Sequence, residues 1–281
     1  FFIISFDLIF ESCFGFNSIG FKTTYPGRLA GFSGNELKIG GYYYGFIAIS
    51  LTYILLYYRK YFYFSFFFFF LIALLIGERA NFLKIVLMMV PFIIILNYNH
   101  KIKILHLLLI LFISILITFI YKPIYKEKFY NDFINIDKLS LNNILSKSKK
   151  HKAHYIAAYS IFKDNIVFGT GLKNFRNESS KPKYMNNNLK IKSWSTHPHQ
   201  IHLEFLSETG LVGYIIFCMF FLISIFGGIK NYFSSKNFYT LSATLFIFTT
   251  FLPLIPSGSF FTTYSATIFW INYSLLKLRK I

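Results

Sequence analysis

The chain has 281 residues, 55% of them apolar and 22% aromatic, with only 14% charged. That composition excludes an ordinary soluble domain and a disordered chain alike and points to a membrane protein. The formal net charge of +18, from 29 Lys+Arg against 11 Asp+Glu, would suggest nucleic acid in a soluble protein. Here it accompanies heavy use of Phe, Tyr, Ile, Asn and Lys, the pattern of an AT-rich genome, so no nucleic-acid partner is inferred and the positions of the charges say more than their sum. Cys13 and Cys218 lie far apart in apolar surroundings, which gives neither a disulfide framework nor a metal cluster and leaves the redox compartment open. The chain opens Phe1-Phe2-Ile3-Ile4 without an initiator Met or a basic leader, and the expectation is a C-terminal fragment of a larger helical bundle.

Uncharged apolar stretches of about 17–25 residues mark bilayer spans. They occur near 40–58, 61–77, 82–97, 104–121, 206–228, 238–256 and 260–276, with a partial one at 1–14. The expected fold is therefore an all-α polytopic membrane protein of about seven or eight transmembrane helices, with a long outer-face loop containing short helices. It divides into transmembrane helices with short outer-face Arg turns (1–121), the loop (122–205) and C-terminal transmembrane helices (206–281). Taking alternate connections as cytoplasmic puts nine Lys/Arg inside, against Arg79 and Lys84 in the short outer connections, and the positive-inside rule sets the orientation. Segment 15–39, the turn 77–81 and the whole of 122–205 then share the outer face. The loop carries 15 Lys/Arg and six acidic residues, and its length exempts it from the charge rule. Within it, 122–150 is Lys/Asn-rich and reads as irregular, His154 to Phe162 as a short amphipathic helix, Gly169-Thr170-Gly171 as a stop and turn, and 177–195 as polar loop.

The densest reactive cluster is Thr196-His197-Pro198-His199-Gln200-Ile201-His202-Leu203-Glu204. Histidines at i and i+3 can share a helix face and hold a metal, but Pro198 interrupts a helix between His197 and His199 and no second ligand cluster occurs. Interfacial histidine without a chemical task is one alternative. The other is acid/base work, since a neutral imidazole can take a proton from a hydroxyl nucleophile at physiological pH. Arginines are few, and Arg28, Arg79 and Arg176 all fall on the predicted outer face. An Arg at a span boundary commonly anchors it by snorkelling; three on one face also suit an anion site, because planar guanidinium matches phosphate oxygens bidentately. No Asp-x-Asp pair, P-loop or dinucleotide glycine fingerprint is present, so neither metal-held pyrophosphate nor a nucleotide cofactor is indicated.

His199-Gln200, nine residues, Gly210, two residues and Gly213 resemble the signature of the O-antigen ligase and O-antigen polymerase superfamily of bacterial envelope glycan assembly. Weaker elements follow the family's order: Arg28-Leu29-Ala30-Gly31-Phe32 with Gly34-Asn35-Glu36, then Gly77-Glu78-Arg79-Ala80, then Asp164-Asn165 with Gly169 to Phe175. Three positions depart from it. Lys150-His151-Lys152 stands where relatives carry an Arg, Ile166 replaces a Pro, and Glu78 replaces a small residue.

The resemblance implies a metal-independent, inverting glycosyltransferase of the inner membrane with its active site on the periplasmic face, without a cofactor. It would move a glycan from undecaprenyl pyrophosphate to an acceptor hydroxyl, on a lipid A core in a ligase or on a second lipid-linked glycan in a polymerase. His199 would then be the base, and Arg79 and Arg28 would bind pyrophosphate and stabilise the leaving group. Arg176, His197, Gln200, Lys152 and Glu204 would bind substrate. A transporter of lipid-linked solutes is the rival reading, but it would place ionisable groups at mid-membrane, whereas here only His106 and Glu208 lie near span ends. A scaffold whose basic loop binds anionic membrane lipid is the third.

Overall fold

A computed structural model describes residues 1–36, 38–100, 103–121, 149–184 and 194–278, and every regular element among them is helical. In chain order these are α1 (Phe2–Phe14), α2 (Ile39–Tyr57), α3 (Phe62–Leu75), α4 (Arg79–His100), α5 (Ile104–Tyr121), α6 (Lys149–Asp164), α7 (Phe175–Glu178), α8 (Ile201–Ser235), α9 (Phe238–Phe251) and α10 (Thr263–Ser274), with short 3-10 turns between some of them. Of the stretch expected to be irregular at 122–150, all but the last two residues lie outside the described ones, as do 185–193 of the polar segment. The described residues fall into two compact units, one within 1–134, 228–250 and 272–281, the other within 135–227 and 251–271.

Ile39–Tyr57, Arg79–Tyr98 and Ile201–Ser235 are long and apolar enough to cross a membrane, while Ile104–Thr118 and Phe238–Phe251 are apolar but shorter. Local chemistry explains where several helices depart from the hydropathy boundaries. α1 is a full helix closed by Gly15, whose φ of 77° and N–H bond to the Glu11 carbonyl form a left-handed C-cap. α9 ends at Phe251 because Pro253 disfavours helical geometry at Leu252. α8 starts at Ile201, five residues before the predicted span, because the Gln200 side chain accepts the Leu203 N–H at 2.7 Å and caps it.

In the first unit, Tyr43, Tyr44, Ile47, Leu51 and Ile54 of α2 are buried, and α2 packs on α3 and α4. Hydroxyl groups add interhelical bonds: Thr52 to Ser242 at 2.7 Å, and the Tyr44 phenol to the Phe246 carbonyl at 2.9 Å and to Thr249 at 2.7 Å. Such bonds serve where apolar burial alone does not drive helices together. Exposed Leu105, Leu108, Phe112 and Leu116 on α5 give this unit an apolar surface suited to lipid. In the second unit, α6 buries Ala157, Ala158 and Ile161 against Phe175 and Tyr184, with Leu203 alongside. The spacing of those α6 positions is that of one helical face.

Candidate functional site

The second unit gathers four imidazoles. His151 and His154 stand one turn apart on α6, on the turns preceding its buried face, and His197 and His199 come from the segment before α8. The His199 ring centroid is 4.1 Å from that of His197, 5.2 Å from His151 and 5.3 Å from His154. Ser195 Oγ lies 3.3 Å from His199 Nε2, and Thr196 Oγ1 lies 3.0 Å from His197 Nδ1. His151 Nδ1 and His197 Nε2 are buried without a hydrogen-bond partner among the described residues.

Burial, then the neighbouring His197, His151 and His154, hold the His199 imidazole down to about 3; burial, then His154, Arg176 and His151, hold His197 down to about 4. His151 is lowered too, by burial and by His154. Crowding like-charged groups into a partly dry site disfavours their protonation, so these rings are neutral at physiological pH with lone pairs available. Among the described residues no three His, Cys, Asp or Glu are arranged to hold a metal ion.

His199 has a φ of 59°, in the left-handed region. For a residue with a Cβ this costs about 1–2 kcal/mol, and such strain persists only where the surroundings impose it. Here the His199 carbonyl accepts the Ser257 N–H at 2.9 Å and Gln200 caps α8, so the ring is aimed by backbone on both sides. The rest of the motif is scaffold. Glu204 is buried, and its carboxylate accepts the Phe260 N–H at 2.8 Å. Both His202 nitrogens are engaged: Nε2–H donates to the Phe251 carbonyl at 2.7 Å, and Nδ1 accepts from Tyr214 at 3.0 Å.

Gly169 and Gly210 meet back to back. α8 is interrupted at Gly210, whose φ is 65° and ψ −166°, and Gly169 has a φ of 66°. Across this break Leu211 N–H donates to the Ile166 carbonyl at 2.7 Å, and Gly171 N–H to the Glu208 carbonyl at 2.8 Å. The Glu208 carboxylate also receives the Lys173 and Phe175 N–H groups at 2.7 and 3.2 Å. The two loop motifs singled out in the sequence are thus one stitched structure, and exposed Arg176 follows directly from it.

The first unit builds the Arg28 turn. Buried Glu11 on α1 accepts the Ala30 N–H at 2.9 Å and the Gly31 N–H at 2.7 Å, and Asn17 donates to the Gly31 carbonyl at 2.8 Å. Leu29 N–H then donates to the Ile76 carbonyl at 3.2 Å, which brings Arg28 to the turn before α4. There Glu78 accepts from Asn81 Nδ2 at 2.6 Å and feels the Arg28 guanidinium. Burial nevertheless pushes the Glu78 carboxyl above its usual range. Arg79, exposed, is the first residue of α4.

Of the residues predicted from sequence, His199, His197, Gln200 and Glu204 are brought together in the second unit, with the His197 ring against that of His199 and the other two holding the backbone. Lys152, half-buried, stands on α6 between His151 and His154, and Arg28 and Arg79 belong to the first unit. Sequence reasoning missed His151 and His154; their i, i+3 spacing is the available signal, and the helix begins at Lys149, five residues before the expected start at His154, which puts both on it. It also missed Glu11 and Asn17, which act across about one helix and one loop and leave no local pattern.

A family model described as O-antigen ligase matches residues 64–218. That range contains the α4 turn, α6, the glycine junction and the histidine cluster. No match was found among curated proteins or among solved structures.

Proposed function

The chain belongs to the O-antigen ligase family, and from that premise we propose that it transfers a glycan from undecaprenyl pyrophosphate to an acceptor hydroxyl on the periplasmic side of the inner membrane, with inversion and without a metal. The acceptor hydroxyl attacks the anomeric carbon, the bond to the pyrophosphate oxygen breaks, and the hydroxyl proton passes to His199. The observation that carries this reading is His199 itself: a neutral imidazole, held in a strained left-handed backbone conformation at the edge of a candidate span.

An imidazole held near 3 is a weak base until the donor binds. An arriving pyrophosphate anion raises it, because a nearby opposite charge favours the protonated form. Base strength is thereby coupled to donor binding, and the proton is taken only when a leaving group is present. Pyrophosphate binding is assigned to Arg28 and Arg79, which balance the charge that grows on it as the sugar departs. Arg176, His197, Lys152, Gln200 and Glu204 line or position the acceptor and the base; Gln200 and Glu204 do so through the backbone contacts described above. No nucleotide is required, since the pyrophosphate ester is already the activated donor.

The polymerase reading differs in acceptor alone. Expression of the intact protein in a ligase-deficient Gram-negative host, with gel separation of lipopolysaccharide from lipid-linked glycan, tests both. Glycan on lipid A supports the ligase, and longer lipid-linked chains with bare lipid A support the polymerase. No change in either, with the protein present in the membrane and its donor made by the host, contradicts the proposal.

A further inference from the structure

Lys84 lies one and a half turns into α4, on one of the three candidate spans, and is only 5% exposed. Among the described residues its ammonium faces the Tyr44 ring, whose centroid is 5.5 Å away. No carboxylate is paired with it there: Glu78, the acid nearest in sequence, in the turn just before α4, is engaged by Asn81, by the Gly40 N–H and by the charge of Arg28. A methyl group placed on Gly40 would fall 2.6 Å from Glu78 Cδ, so that carboxylate lies flat on the α2 backbone.

The Tyr44 platform is fixed. Its phenol is tied to Phe246, Thr249 and Thr250 of α9, and its ring packs, tilted by 35°, at 4.8 Å from that of Phe246. Gly40 and Tyr44 are one turn apart on α2, about 6 Å along the axis. The Lys84 head therefore lies by a residue one turn further along α2 than the one the Glu78 carboxylate covers. A buried ammonium without a counter-charge is strongly disfavoured, and a cation retained in a span marks a functional position.

We propose that Lys84 is a phosphate-binding residue of this unit, taking the lipid-proximal phosphate of a polyprenyl pyrophosphate while Arg28 and Arg79 take the sugar-proximal one. The inference rests on the donor class assigned above and adds a residue and a direction to it: the isoprenoid enters with its phosphate leading toward Tyr44. A cation–π contact holds the ammonium ready without neutralising it.

The test uses the purified intact protein, its Lys84→Met variant and its Arg28→Gln variant in detergent. Binding of geranylgeranyl pyrophosphate, geranylgeraniol and phosphatidylglycerol is followed by calorimetry and by the ligand-induced shift in thermal midpoint. The expected result is that Lys84→Met binds the pyrophosphate about ten- to a hundredfold more weakly, as for loss of one charge-assisted contact, and that its ligand-free midpoint is unchanged or higher because an unpaired buried charge has gone. Parent-like pyrophosphate affinity in Lys84→Met, with weakened binding in Arg28→Gln, overturns the role of Lys84 alone. A lowered ligand-free midpoint or a variant that does not fold makes the lysine structural and overturns it as well. An effect confined to phosphatidylglycerol overturns the donor assignment, and a parent that binds no pyrophosphate overturns both this inference and the reading beneath it.

Discussion

Replacing Gly169 by Ala tests the junction that organises the second unit. Two effects add. At a φ of +66° an L side chain is strained by about 1–2 kcal/mol, and the new methyl would fall 2.5 Å from both the Glu208 carbonyl oxygen and Gly210 N, which are backbone atoms that cannot rotate away. Overpacking of this kind costs typically about 1–3 kcal/mol, so the total is about 2–5 kcal/mol. Gly210→Ala meets the same junction from the other side, with φ +65° and Gly169 N at 2.5 Å. Gly171→Ala is the control: its φ is +97°, yet nothing lies within 4 Å of the added methyl, so only the strain remains. Thermal unfolding of the solubilised protein should show Gly169→Ala and Gly210→Ala destabilised by at least twice as much as Gly171→Ala. The double variant should fall short of the sum, because both methyls disrupt one contact. Equal midpoints for Gly169→Ala and Gly171→Ala would refute the close-approach argument.

Further expectations follow from the same geometry. Because His199 is held at about 3 and His197 at about 4, below the ordinary 6.5, the unfolded chain binds more protons between those values; stability falls as pH drops from about 6.5 toward 3, and His199→Gln flattens that slope in a pH series of thermal midpoints. For the same reason kcat/KM, which reports the free enzyme, should hold between pH 6.5 and 5, whereas the acid limb of kcat lies higher because bound donor raises His199; coincident limbs would contradict the coupling. Glu11→Gln weakens the acceptor of the Ala30 and Gly31 N–H groups and should raise the donor Kd by loosening the Arg28 turn, with little change in kcat once donor is saturating. Glu208→Ala leaves the Lys173 and Phe175 N–H groups unpaired and should cost about 1–3 kcal/mol of stability, measurable as increased proteolysis at 169–176.

Every apolar stretch read as a span carries a helix, because such a run leaves a strong local signal, but only three of the described helices are long and apolar enough to cross a membrane. The break at Gly210 left none: helix continues on both sides, the composition does not change, and only the partner backbone at Gly169 shows why a left-handed glycine is needed there. His199 and Arg28 stood out by residue type and motif, whereas what holds them is distant in sequence. Glu11 reaches across 19 residues to Ala30, and Ser257 N–H reaches the His199 carbonyl from beyond α9. The i, i+3 spacing of His151 and His154 is legible in the sequence, but the place of His151 beside His199 depends on how α6 packs, through Ala157, Ala158 and Ile161, on Phe175 and Tyr184.

The most direct test of the central claim is the rate of glycan transfer from a purified undecaprenyl-pyrophosphate-linked donor by the intact protein and by His199→Gln, at saturating donor and in the presence of a chelator. The account predicts transfer by the parent, a loss of about 10²–10⁴ in kcat for the variant as expected of a general base, and donor affinity unchanged within about twofold, since it assigns the pyrophosphate contacts to Arg28, Arg79 and Lys84. A variant that transfers glycan at the parent's rate, or a parent silenced by the chelator, would contradict it.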